Sequence, residues 1–143
     1  MNTKQYIIVR QDCPTINGEP ISPQKLAVQV SHASMAFLSK IILDNLKNGI
    51  STLAVDNDLL EWFHGSYTKV ILRAKNLNDM RKIIDKAKNN NLQENKDFFC
   101  IHDLCKTELL PDDGQATCFT AIGFRPMESN LLLPIVKRLQ LYR

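Results

Sequence analysis

The sequence lacks the long apolar segments that span membranes. Its longest apolar run, between Phe37 and Leu43, is interrupted by Ser39 and Lys40. The first six residues lead directly into a strand pattern, without the apolar stretch and small-residue cleavage site of a signal peptide. We therefore expect a cytoplasmic protein that has no membrane partner.

A large excess of positive charge is also missing. The 143 residues contain 18 lysines and arginines against 15 acids, which gives a net charge of +3. This net charge permits a polyanionic partner such as RNA, but it is smaller than the net positive charge of proteins that bind nucleic acid by charge alone. Apolar residues make up 44% of the chain and charged residues 23%, which is typical of a folded domain and excludes wholesale disorder.

Cysteines are few, and their spacing matches no standard metal site. We expect free thiols at all four positions, Cys13, Cys100, Cys105 and Cys118. Zinc held by Cys100, His102 and Cys105 is an alternative, but strand alternation leaves Cys105 away from the face that the other two share. A nucleophilic Cys105 has no evident base beyond His102 or His32. We expect no metal and no cofactor.

The apolar pattern predicts a single α/β domain over residues 1–143. Strands are predicted at 6–9, 68–74, 98–101 and 117–122, and helices at 22–48, 58–63, 77–88 and 129–139. The third and fourth strands have no helix between them, which favours an antiparallel pair. The predicted fold is a mixed sheet of about four strands sandwiched by helices.

The segment from Ser22 to His32 places three reactive polar groups on one stripe of a predicted helix. Ser22 can cap this helix, and Pro23 suits its first turn, where a missing backbone N–H is harmless. Lys25, Gln29 and His32 follow at positions i, i+4 and i+7 and therefore point the same way. The pattern indicates either a solvated polar face or a site.

A second polar cluster follows the third predicted strand. Asp103 and Thr107 lie where that strand becomes a loop, and Thr117 begins the next strand. Ligands bind at the carboxyl ends of strands in open α/β sheets, so these positions suit a site. An aspartate that only orders its own loop is the alternative. The presence of the Lys25 stripe favours the site.

Both clusters resemble motifs of the class II peptidyl-tRNA hydrolases. Residues 24–33 read Gln-Lys-Leu-Ala-Val-Gln-Val-Ser-His-Ala, which is similar to the first-helix pattern Gly-Lys-small-Ala-Ala-Gln-Cys-Ser-His-Ala. Residues 103–107, Asp-Leu-Cys-Lys-Thr, resemble the family's Asp-Ala-Gly-Arg/Lys-Thr motif, and residues 117–123 resemble its closing strand. The order of elements agrees over nearly the whole chain.

The resemblance implies a small α/β domain around a four-stranded mixed sheet, and hydrolysis of the ester that joins a peptide to the terminal ribose of tRNA. The catalytic positions that it implies are Lys25, Asp103, Thr107 and Thr117. The substrate-binding positions that it implies are Gln29, His32 and Lys106. The implied partner is peptidyl-tRNA, with no DNA, and a homodimer is left open.

The chemistry of these residue types agrees with ester hydrolysis. An activated ester needs a positioned water and stabilisation of the developing oxyanion, without a metal or a covalent nucleophile. Asp103 is suited to orient or deprotonate the water, which the hydroxyls of Thr107 and Thr117 would hold. Lys25 is suited to offset negative charge on the oxyanion or on the terminal nucleotide phosphates. Gln29 and His32 would then orient the substrate or tune Lys25.

The loop from Leu104 to Gly114 departs from the family pattern and leaves a second interpretation open. Cys105 replaces a family glycine, Asp112-Asp113-Gly114 replaces Gly-Ser, and the loop is longer by about two residues. Extra acids beside a polyanion favour a module of the same fold that binds a tRNA end or a protein with little or no turnover. The presence of Lys25 and Asp103 favours catalysis instead.

Overall fold

Helices cover both faces of a mixed sheet in the computed structural model, which describes residues 2–143. The strands are β1 (Thr3–Arg10), β2 (Lys69–Ala74), β3 (Phe98–Asp103), β4 (Cys118–Phe124), β5 (Met127–Glu128) and β6 (Gln140–Leu141). The helices are α1 (Pro23–Lys47), α2 (Asn57–His64), α3 (Leu77–Asn89) and α4 (Ser129–Val136). The predicted α/β class, with a mixed sheet sandwiched by helices, is confirmed.

The order of strands in the sheet is β3-β4-β1-β2-β6, and β5 pairs with β1. β1 and β2 are parallel, whereas the remaining pairs are antiparallel. The predicted antiparallel pairing of the third and fourth long strands, β3 and β4, is confirmed. The prediction of about four strands missed β5 and β6, because a strand of two residues leaves no alternating pattern in the sequence.

The two faces of the sheet carry different helices. On one face, Ala33 of α1 packs against Ile7, Val9 and Ala121, and Phe37 of the same helix packs against α2. On the other face, α3 and α4 contribute to the largest cluster, whose helical members include Met80, Ile83, Leu132 and Ile135. β1 is covered on both faces, which explains its continuous apolar run.

Helix α1 begins and ends where the sequence predicts. The hydroxyl of Ser22 accepts a hydrogen bond from the backbone N–H of Lys25 at 3.2 Å, and Asn48 caps the other end. By length and composition α1 could cross a membrane, which corrects the expectation that no segment of this chain could. Core helices of soluble proteins pass the same test, so this finding alone assigns no membrane span.

Helix α1 touches the backbone of β4 at Gly123. A Cβ atom on this residue would lie 2.0 Å from the carbonyl oxygen of Ala33, so only glycine permits the approach. The contact fixes the height of α1 above β4. It therefore also fixes the position of Gln29, one helical turn before Ala33.

The last helix is shorter than predicted. α4 ends at Val136 and contains Pro134, whereas the sequence pattern extends it to Leu139. The chain turns after Val136 and adds β6 to the edge of the sheet, where Gln140 pairs with Arg73. A turn over residues 137–139 thus replaces the final turn of the predicted helix and leads into the short edge strand.

Candidate functional site

The two polar clusters predicted from the sequence meet at the carboxyl end of β3. Nζ of Lys25 lies 2.8 Å from Oδ2 of Asp103, and the two side chains are 16% and 10% exposed. The same Nζ donates a hydrogen bond to Oγ1 of Thr107 at 3.1 Å. The first turns of α1 and the loop after β3 therefore supply one shared site.

A buried glutamine extends this arrangement into the core. Nε2 of Gln29 donates a hydrogen bond to Oδ2 of Asp103 at 3.1 Å, and its Oε1 accepts one from the hydroxyl of Thr120 at 2.7 Å. Gln29 and Thr120 are both fully buried. Because both ends of the amide are bound, its NH₂ group is held towards Asp103. We refer to Lys25, Gln29, Asp103, Thr107 and Thr120 as the polar network.

Thr120 lies at an irregularity in the pairing of β3 and β4. Ile101 pairs with Ala121, but the next residue, His102, pairs with Phe119, so Thr120 is left over as the extra residue of a β-bulge. Bulges redirect side chains, and this one places Oγ1 of Thr120 3.3 Å from the carbonyl oxygen of Ile101, on the side of α1. Sequence analysis missed Thr120 because alternation along a strand does not reveal a bulge.

The polar network holds Asp103 in its ionised form. Burial alone would raise the pKa of this carboxyl, but hydrogen bonds from Lys25, from the backbone N–H of Cys105 and from Gln29 outweigh burial and hold the pKa below its usual range. The Cys105 N–H reaches Oδ1 at 2.8 Å. Asp103 is therefore an acceptor of hydrogen bonds at neutral pH and not a donor.

The loop after Asp103 turns sharply at Cys105. This residue has a φ of 60°, the left-handed region that favours glycine, and it stands where the resembling motif has glycine. A side chain in this conformation costs about 1 kcal/mol. The turn brings the Cys105 N–H onto Asp103, and the thiol packs at the edge of an apolar cluster with Cys13 and Cys118. Although cysteine stands where the motif has glycine, the turn is kept and the Cys105 N–H still holds the carboxylate of Asp103.

Glu108 joins the same loop to the start of α1. Its two carboxylate oxygens accept hydrogen bonds from the backbone N–H and the hydroxyl of Ser22, and these bonds hold the pKa of Glu108 below its usual range. The attachment keeps neighbouring Thr107 beside Lys25. Sequence analysis missed Glu108, although an acid that binds the first residues of a helix is a known preference.

An open cleft of about 340 Å³ borders the polar network, and we call it the polar cleft. It is lined by Lys25, His32, His102, Asp103, Leu104, Cys105 and Lys106. The predicted substrate-binding residues His32 and Lys106 are both exposed at this cleft. Gln29, the third such residue, lies beneath it in the core. Within residues 2–143, no group of three or more His, Cys, Asp or Glu side chains is arranged to hold a metal ion.

Thr117 is not brought into the polar network. Its hydroxyl lies 3.5 Å from Nδ1 of His102, whose ring stacks on Phe119 with centroids 5.0 Å apart. Phe119 belongs to the cluster on the α3 face of the sheet. Among residues 2–143 no hydrogen bond joins Thr117 to Asp103. The water-holding role that the sequence predicts for Thr117 stays a prediction, to which none of these contacts adds support.

Asp112, one of the acids that distinguish the loop, is buried and neutralised. Its Oδ1 lies 2.7 Å from Nη1 of Arg10, and both side chains are 7% exposed. Its Oδ2 accepts a hydrogen bond from the backbone N–H of Phe119 at 2.8 Å. The neighbouring Asp113 is exposed. Asp112 thus ties the loop to the core and presents no free charge to a polyanion, which weakens the sequence argument for a module without turnover.

Comparison with known proteins gives a consistent result. The family model described as peptidyl-tRNA hydrolase PTH2 matches residues 3–142. A peptidyl-tRNA hydrolase of Saccharolobus solfataricus is 32% identical over 138 residues, which cover 96% of this chain and 98% of the relative. A peptidyl-tRNA hydrolase of Sulfurisphaera tokodaii is 30% identical over 128 residues, or 90% of each chain. The matches include every element that carries the polar network.

Proposed function

Because the chain belongs to the peptidyl-tRNA hydrolase PTH2 family and hydrolyses the ester bond of peptidyl-tRNA, we propose that the polar network is its reaction site. The observation that carries this proposal is the contact of Lys25 and Gln29 with one carboxylate oxygen of Asp103. In the reaction, water adds to the ester carbonyl and the bond to the ribose oxygen breaks. The products are the peptide acid and a free ribose hydroxyl.

Asp103 orients the attacking water in this proposal. Its lowered pKa makes it a weak base but a constant acceptor, so it holds a water O–H more readily than it removes the proton. Oδ2 already accepts from Lys25 and Gln29, whereas Oδ1 accepts from the backbone N–H of Cys105. A carboxylate oxygen can accept a second hydrogen bond, so Oδ1 is the atom we assign to the water.

Lys25 supplies positive charge to the developing oxyanion. An ammonium group has three N–H donors, and the contacts within residues 2–143 direct two of them to Asp103 and Thr107. The third donor is left for an oxygen of the substrate. A fixed charge at a partly buried position stabilises an oxyanion more than it would in water. Thr107 and Asp103 together hold the ammonium in one place, which avoids reorganisation during the reaction.

Gln29 and Thr120 position the reacting groups and do not face the open cleft. The 0% exposure of both side chains supports a role through Asp103 and not through direct contact with the ester. His32 and Lys106 are exposed at the polar cleft, and we assign them to substrate binding, with Lys106 close enough to the cleft to meet a terminal phosphate.

The partner is peptidyl-tRNA, and we infer a cytoplasmic location from the role of this family in translation. The absence of DNA and membrane partners stays a prediction. A homodimer also stays a prediction, with the apolar residues that α1 exposes, Met35, Leu43 and Leu46, as its candidate contact. Analytical ultracentrifugation of the purified chain would decide this point.

Release of labelled peptide from an N-acetylated aminoacyl-tRNA tests the proposed site. We expect turnover by the parent protein, and a loss of kcat on the order of 100-fold or more in Asp103→Asn and in Lys25→Ala. Lys47→Ala, an exposed lysine at the far end of the same helix, serves as the control and should match the parent. Full turnover by Asp103→Asn would contradict the role of the carboxylate.

A further inference from the structure

A second, strongly basic cleft lies on the opposite side of the sheet from α1. It has a volume of about 560 Å³ and is formed by the end of β2, helix α3 and the segment that leads into β6. We call it the basic cleft. Its charged lining residues are Arg73, Lys75, Lys82, Lys86, Arg138 and a single acid, Asp79.

The charge of the basic cleft exceeds that of the whole protein. Five cations and one carboxylate give it a net charge of +4, whereas the complete chain carries +3. The rest of the chain is therefore slightly acidic, with a net charge of −1. The net positive charge is therefore concentrated at this cleft, and such a concentration attracts a polyanion.

The cations of the basic cleft have no counterions in the fold, although Arg73 donates a hydrogen bond to Oε1 of Gln140 in the neighbouring strand. Among residues 2–143, no ion pair within 4.0 Å involves any of the five. Asp79 accepts a hydrogen bond from the backbone N–H of Lys75 and is occupied at the start of α3. Lys82 and Lys86 lie at i and i+4 on this helix, where like charges destabilise it by about 0.2–0.5 kcal/mol. The unpaired charge is better explained by a ligand than by stability.

The basic cleft opens at the carboxyl ends of the parallel strands, as the reaction site does. β1 and β2 are parallel, and β3 has the direction of β1 because both are antiparallel to β4. Asp103 at the end of β3 and Lys75 after β2 therefore lie at the same end of the strands. Three strand spacings separate β3 from β2 in the sheet order, which amounts to about 14 Å.

We propose that the basic cleft binds the phosphate backbone of the tRNA at nucleotides away from the terminal ribose. This inference rests on the proposed function, which places that ribose at the polar cleft. A separation of this size is too large for a cation of the basic cleft to touch the ester. It suits phosphates further along the strand, whose contacts with lysine and arginine position a nucleic acid without reading its sequence.

Neutralising two lysines tests this proposal. The double variant Lys82→Gln/Lys86→Gln is assayed on two substrates, an intact N-acetylaminoacyl-tRNA and an N-acetylaminoacyl ester of a short 3′-terminal oligonucleotide. On the intact tRNA we expect KM to rise about tenfold with kcat unchanged, and the slope of log KM against log salt to fall by about 2. On the short ester, kcat/KM should equal that of the parent.

The matched control is Lys47→Gln/Lys96→Gln, which removes the same charge from the opposite end of the strands. It should leave KM and kcat for both substrates at the parent values. An unchanged KM and salt slope in the Lys82/Lys86 variant would overturn the proposal, as would an equal loss on both substrates or an equal effect of the control. Binding of deacylated tRNA to both variants is measured without turnover. This readout decides the inference even if the parent protein hydrolysed neither substrate, which would instead refute the proposed function.

Discussion

The hydroxyl of Thr120 donates a hydrogen bond of 2.7 Å to Oε1 of Gln29, and neither side chain is exposed to solvent. The other end of the same amide donates to Asp103. A threonine at a bulge in β4 therefore determines which end of a helical glutamine faces the carboxylate of the reaction site.

Removal of the Thr120 hydroxyl should damage both stability and activity. In Thr120→Val, the buried Oε1 of Gln29 loses its donor, which costs about 1–3 kcal/mol of unfolding free energy. The amide is then free to turn, and a misplaced Asp103 should lower kcat about 10- to 100-fold. Urea unfolding and the peptide-release assay measure the two effects.

Two further threonine variants show whether the loss of activity comes from the Thr120 hydroxyl itself or from any change at a threonine of β4 or just before it. Thr120→Ser keeps the hydroxyl and should stay close to the parent in kcat. Thr117→Val removes a hydroxyl that lies at 3.5 Å from His102, outside the polar network, and should also leave kcat near the parent value. A large loss in Thr117→Val with an active Thr120→Val would reverse our assignment of the two residues.

The lowered pKa of Asp103 predicts how stability depends on pH. Because its pKa is lower in the folded chain than in the unfolded chain, the ionised carboxyl contributes stability that is fully present above about pH 4. This contribution is lost as pH falls through the native pKa. The difference in unfolding free energy between the parent and Asp103→Asn should be constant from pH 7 to pH 5 and smaller at pH 3. A difference that instead grows between pH 7 and pH 5 would mean that burial dominates and that the pKa is raised, because a carboxyl with a raised native pKa adds stability as pH falls.

The buried ion pair of Arg10 and Asp112 should be costly to break. Arg10→Met leaves a carboxylate that is 7% exposed without its counterion, and we expect a loss of about 3–5 kcal/mol in urea unfolding. Lys40→Met is the comparison, because its pair with Asp44 is about half exposed and should contribute less than about 1 kcal/mol. Equal losses in the two variants would show that burial of the pair has no influence.

The close approach at Gly123 should tolerate no side chain. In Gly123→Ala the added methyl group would meet the carbonyl oxygen of Ala33, so α1 must move, at a cost of about 3 kcal/mol. Gly49→Ala is the control, since Gly49 has a positive φ but open space around it and should lose only about 1 kcal/mol. Thermal unfolding measures both, and a similar cost for the two would exclude a steric cause.

The sequence predicted the parts of the site that depend on local spacing. Lys25 and Gln29 lie on one helix face, and Asp103 ends a recognisable strand, so periodicity and the motif resemblance were enough to identify them. The structure brings all three together.

The sequence could not predict contacts that depend on exact register. β4 is buried along its whole length, so its pattern does not say which residue faces α1, and the bulge that turns Thr120 towards that helix has no signature in composition. The pairing of Arg10 with Asp112 was missed for a related reason, because the two residues are 102 positions apart and meet only in the fold.

The polar network has a consequence for how the enzyme is made. Lys25 is 82 residues from Thr107, and Gln29 is 91 residues from Thr120. Contacts of such long separation form only after the entropy of closing a large loop has been overcome, which slows folding. A growing chain that has reached residue 117 on the ribosome already contains four of the five network residues but cannot orient the amide of Gln29. The catalyst is therefore completed only when the strand that carries Thr120 has been added.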